Sequence, residues 1–202
     1  TQATGMQDLG TLPGSSESEA LGVSADGSVV VGLARNDSGL VRAFRWTQAT
    51  GMQDLGTLGG TESTAQSASA DGSVVVGWAR NAAGQLRAFR WQNGVMQDLG
   101  TLGGADSWAW GVSADGSVVV GYAGNAAGQG RAFRWTAAGG MEDLNITYAS
   151  LLTDGSELNF AFAISPDGRY IVGQGYNAAA GRYNEAFLLD TVPEPASLMA
   201  LG

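Results

Sequence analysis

Three short strings recur in fixed order along this chain, and their repetition constrains the fold more than any single residue does. GMQDLGTL begins at Gly5 and again at Gly51, VMQDLGTLGG follows at Val95, and a shortened GMEDLN stands at Gly140. SADGSVVVG begins at Ser24, Ser69 and Ser113, with SPDGRYIVG at Ser165. RAFRW begins at Arg42, Arg87 and Arg131, with EAFLL at Glu185. The turn aspartates Asp26, Asp71, Asp115 and Asp167 lie 45, 44 and 52 residues apart. The fourth unit therefore carries an insertion, placed here in 146–158. A period of this size marks an array of one repeated supersecondary unit.

Each period holds four strand-like pieces. In the second unit they are 63–69, 73–79, 86–91 and 95–100. Ala70-Asp71-Gly72 joins the first two, an Asp-Gly turn whose glycine tolerates the positive φ a tight hairpin needs. Asn81 to Gly84 gives the next hairpin signal. Val74-Val75-Val76 is a continuous β-branched run, suited to a strand covered on both faces. The 32 glycines fall at fixed offsets inside these runs, so they punctuate turns. No sustained 3.6-residue apolar period exists, and helix is expected only as a turn.

Four strands in about 45 residues is the size of a propeller blade. The expected fold is all-β: four tandem four-stranded units forming a four-bladed β-propeller. The units are 11–56, 57–100, 101–145 and 146–190, followed by a tail at 191–202. The chain starts with an orphan fourth-type strand at Gly5–Gly10 and ends with a unit, 158–190, that lacks its own fourth strand. Pairing the two would close the ring and remove two exposed edges. The alternatives are a β-solenoid, or an open array in which Gly5, Met6, Gln7, Asp8, Leu9 and Gly10 form an assembly strand that completes a neighbouring chain.

Composition narrows function. Ten basic residues stand against 19 acidic ones, for a net charge of −9. Such a chain repels phosphate, so nucleic acid is not an expected partner. Every basic residue is Arg, and His and Cys are absent. The usual general base near neutral pH, the thiolate and the amine nucleophile are all missing. No stretch reaches the roughly 20 apolar residues of a membrane span. Thr1 to Thr4 repeats Thr47 to Thr50 inside a unit, which reads as a processed or trimmed start.

The combination of DLGTLGG, SADGSVVVG and RAFRW resembles the bacterial extracellular HAF-repeat family over nearly the whole chain. The family's His-Ala-Phe stands here as Arg42-Ala43-Phe44, and likewise at Arg87 and Arg131, so no role of that histidine carries over. The tail from Val192-Pro193-Glu194-Pro195 resembles the start of a PEP-CTERM sorting signal, a feature of exopolysaccharide-producing Gram-negative bacteria. The resemblance implies secretion to the cell surface or matrix. Separately, Leu198, Met199 and Leu201 are candidate tail contacts, by which the apolar tail would add to a neighbour's exposed sheet edge.

Repeated residues are expected to serve the blade. Asp8, Asp54, Asp98 and Asp143 recur on the fourth strand and Arg45, Arg90 and Arg134 on the third, which reads as repeated Arg–carboxylate pairing. A calcium-binding ring is the weaker reading, since no dense Asp-x-Asp-x-Asp loop occurs. Trp46, Trp91 and Trp135 read as inter-blade core. Aromatics that differ between repeats are the sharper candidates: Trp78, Trp108, Trp110 and Tyr122 could stack on a sugar ring, with core filling as the plain alternative. Glu157 and Glu185 are unrepeated acids that no pattern pairs, so no catalytic residue, cofactor or metal site is assigned. The expected role is a non-catalytic secreted or cell-surface structural protein, acting by self-assembly, filament formation or adhesion in a biofilm matrix. A carbohydrate-binding propeller contacting extracellular polysaccharide is the alternative.

Overall fold

A computed structural model describes residues 5–192. The repeated strings become four antiparallel sheets in chain order. The first holds β1 (Glu17–Val23), β2 (Val29–Arg35), β3 (Val41–Thr47) and β4 (Gly51–Asp54). The second holds β5 (Gly59–Ala68), β6 (Val74–Asn81), β7 (Leu86–Gln92) and β8 (Val95–Asp98). The third holds β9 (Gly103–Val112), β10 (Val118–Asn125), β11 (Gly130–Thr136) and β12 (Gly140–Asp143). The fourth has three strands, β13 (Glu157–Ile164), β14 (Tyr170–Asn177) and β15 (Arg182–Asp190). Each sheet is a meander with neighbours in sequence order, the architecture of a propeller blade. The segment before β13, which holds the insertion, folds as one short helix, Leu144–Thr147, and a single 3₁₀ turn, Ala149–Leu151.

The first hairpin of each blade is set by its Ser-x-Asp-Gly turn. Asp71 accepts hydrogen bonds from the Ser69 hydroxyl at 2.7 Å and from the Ser73 amide and hydroxyl at 2.9 and 2.8 Å. Gly72 takes φ +66° between them. The second hairpin uses Asn81, whose side-chain oxygen accepts from the amides of Ala83 and Gln85, both at 3.0 Å.

Blades stack face to face through alternation along the valine runs. Val74 and Val76 join a cluster with Ala109, Val119 and Phe133 of the third blade, whereas Val75 packs with Val29, Val31 and Ala43 of the first. All three valines are fully buried. A further cluster joins the third blade to the fourth through Val118, Val120, Leu158 and Ile171. A ladder of turn hydrogen bonds runs alongside: the Ala25 amide donates to Ala70 O, Ala70 to Ala114 O, and Ala114 to Pro166 O, at 2.9–3.0 Å.

One expectation is corrected. Gly5–Gly10 forms no strand and does not complete the fourth sheet. At internal joints the fourth strand leads within a few residues into leucines that cover the next blade, so donor and acceptor blades must be stacked neighbours. Leu9 and Leu12 cover the first blade, packing with Phe44, Trp46 and Ala34. No hydrophobic cluster among the described residues joins that blade to the fourth. Among the described residues nothing closes the propeller between its first and last blades.

Candidate functional site

The internal joints show what the open ends lack. In β3, the Ala43 amide donates to Ser63 Oγ at 3.0 Å and its carbonyl accepts from the Leu55 amide at 2.9 Å. Ser63 Oγ in turn donates to Gly56 O at 2.6 Å. Ala88, Ser107, Leu99 and Gly100 repeat this arrangement at the next joint. Asp54 accepts from the Gly56 amide at 2.8 Å, turning the chain out of the fourth strand.

The repeated charges pair differently from expectation. Arg42 meets Asp54 at 2.9 Å, and Arg87 and Arg131 lie 3.8 Å from Asp98 and Asp143. Arg45 and Arg90 instead donate to the carbonyls of Gly72 and Gly116 in the following blade, each at 3.1 Å. Strand parity is the reason: Asp54 lies opposite Phe44, so Arg42 shares a face with it and Arg45 points to the other side. Arg134 Nε is buried without a partner among the described residues. Among the described residues no three acidic side chains converge on a possible ion.

At the fourth blade the acceptor half of a joint is filled by none of the described residues. Glu185-Ala186-Phe187 occupies the place of Arg42-Ala43-Phe44, and Ala186 has no fourth-strand partner among the described residues. A groove of about 400 Å³ follows this edge, lined by Leu151, Leu152, Leu158, Phe187 and Leu189. Glu157 and Glu185 also line it. Each is held by an arginine, Arg131 at 2.7 Å and Arg182 at 3.1 Å.

At the first blade the donor half pairs with no strand among the described residues. Asp8 already accepts from the Gly10 amide at 2.9 Å, and Ser18 Oγ donates to Gly10 O at 2.7 Å, as at the internal joints. Met6 is wholly exposed, whereas its counterparts Met52, Met96 and Met141 pack against core clusters. Leu198, Met199 and Leu201 lie outside the described residues.

The aromatic candidates divide. Trp108, Trp110 and Tyr122 come together, with Trp108 5.2 Å and Trp110 6.5 Å from Tyr122 between ring centroids. Phe160 stacks on Tyr122 at 5.0 Å, and Phe162 lies 5.3 Å from Trp110. Trp78 sits in the second blade opposite Thr64 and Ala88, apart from this group. Leu21, Gln66, Trp110 and Phe162 are each skipped at one equivalent point in the pairing of the first two strands of their blades. That bulge turns Trp110 and Phe162 out of the regular pleat. Phe160 and Phe162 were not singled out from the sequence, although they align with Trp108 and Trp110.

No family model matches the chain, and no curated protein sequence matches it significantly. Solved structures do. TolB from Acinetobacter baumannii superposes with a TM-score of 0.59 at 15% identity, over 91% of this chain and 42% of that one. A putative TolB from Agrobacterium tumefaciens also gives 0.59, at 17% identity, over 88% of this chain and 63% of that one. The chain thus spans about half the length of these structures. At such identities the likeness shows fold alone: this is a β-propeller architecture of four blades.

Proposed function

We propose that the chain is a non-catalytic interaction module of the cell surface or extracellular matrix, acting by self-association or adhesion. The observation that carries this reading is a pair of ends that find no partner among the described residues, the β15 edge over an apolar groove and the Gly5–Asp8 segment. Edges of this kind are templates for pairing with another chain. The tail's resemblance to a sorting signal supports secretion in a Gram-negative bacterium. The absence of His, Cys and Lys supports a role without turnover. Solution mass as a function of concentration tests the reading: species above 20.6 kDa are expected. A strict monomer that binds no matrix polymer would sink it.

A second reading rests on the ring cluster of Trp108, Trp110, Tyr122, Phe160 and Phe162. Phe162 is 44% exposed beside Trp110, and aromatic faces of this kind stack on pyranose rings. Retention by an immobilised polysaccharide, lost in Trp110→Ala, is its expected signature.

A further inference from the structure

We propose that the β15 edge, which carries no fourth strand among the described residues, is a docking site for residues 5–8 of a second copy of this chain, in one defined register. The inference deepens the self-association reading and rests on it.

The occupant is set by the repeat. Gly51–Asp54 and Gly140–Asp143 fill the equivalent position on β3 and β11, and 5–8 carries the same Gly-Met-Gln-Asp as the first of these. In β3 the pairs are Phe44 with Asp54, Arg45 with Gln53, Trp46 with Met52 and Thr47 with Gly51. Since Gly173 faces Phe187 as Gly32 faces Phe44, Asp8 of the incoming copy falls opposite Phe187 and Met6 opposite Leu189. Met6 then enters the groove between Leu189 and the Leu151–Leu152 turn, where the other blades place Met52, Met96 and Met141. Ala186 would donate to Ser18 Oγ and accept from the Leu9 amide, restoring the bonds made at Ala43 and Ala88. Leu9, Leu12 and the Asp8–Gly10 turn already hold the conformation this requires.

The joint is weaker than the internal ones for three reasons visible at the accepting end. Glu185 stands where Arg42, Arg87 and Arg131 meet the fourth-strand aspartate, so Asp8 would face a like charge. Leu188 replaces the arginine that reaches the next blade's glycine carbonyl. Pro166 has no amide to extend the turn ladder. Association is therefore reversible, and Glu185→Arg should tighten it roughly tenfold by turning a repulsive pair into an attractive one.

The chain has no cysteine, which makes a crosslinking test clean. Trp46 and Met52 are directly opposed, within disulfide reach for such a pair. Chains carrying Met6→Cys and Leu189→Cys singly are mixed under mild oxidation. A mixed disulfide dimer is expected, more abundant with Glu185→Arg and absent when Gln7→Cys replaces Met6→Cys. No mixed dimer overturns the docking register, and so does a disulfide forming only within one chain that carries both cysteines. Self-association that persists without the crosslink would overturn this joint while leaving the broader reading standing.

Discussion

At the scale of the residue, the Asp-Gly turns are both structural punctuation and a source of acid sensitivity. The pKa values of Asp26, Asp71 and Asp115 are lowered from 3.8 to about 2. The main cause is the Ser69 and Ser113 hydroxyl for Asp71 and Asp115, and the Ser28 amide for Asp26. Because the folded values lie below the ordinary one, these turns stabilise the fold fully above about pH 4. That contribution fades as pH falls toward about 2. Melting temperature followed from pH 5 to 2 should drop, and Asp71→Asn should reduce the drop, since the amide oxygen keeps the hydrogen bonds without titrating. The aspartate turns were legible in the sequence because Asp-Gly is a local signal. Which arginine meets which carboxylate was not: Arg42 and Arg45 differ only in strand parity, and parity follows from a register that the string alone leaves open.

At the scale of the element, the blades are held to one another by serines as much as by valines. Ser63 and Ser107 are fully buried, each linking the third strand of one blade to the linker entering the next. Replacing either with Ala strands a buried donor and acceptor, at a cost of about 1–3 kcal/mol. The two sites sit at different joints, so the double substitution should be close to additive in denaturant unfolding. A coupling above about 1 kcal/mol would show that the joints act as one. Strand existence and hairpin turns could be read from valine runs and glycine spacing. The bulges at Gln66 and Trp110 could not, because nothing in those residues marks them as unpaired. They accompany the close approach of Gly77 and Gly121, where no room is left for a side chain beside the carbonyls of Thr64 and Trp108.

At the scale of the whole molecule, burial is graded along the stack. Val75, Val76, Val119 and Val120 are fully buried, while Ala20 of β1 is exposed where its counterparts Ala65, Ala109 and Ala161 are not. Hydrogen exchange should accordingly be slowest in β6 and β10 and fastest in β1, since end elements open at the lowest free energy. Equal protection across all four blades would mean that the stack opens as a unit. The repeat number and blade size followed from periodicity, but closure did not. Periodicity says that each blade has a neighbour, and whether the last one meets the first depends on geometry summed over every joint. The turn ladder that runs from Ala25 to Pro166 has a direction. It passes a donor from each blade to the next and stops at a residue with no donor left to give. Copying an interior unit inserts a link that fits on both sides, whereas copying the final unit sets a proline against a waiting carbonyl. A blade placed after the fourth would therefore meet it without this hydrogen bond, while one placed before it would not.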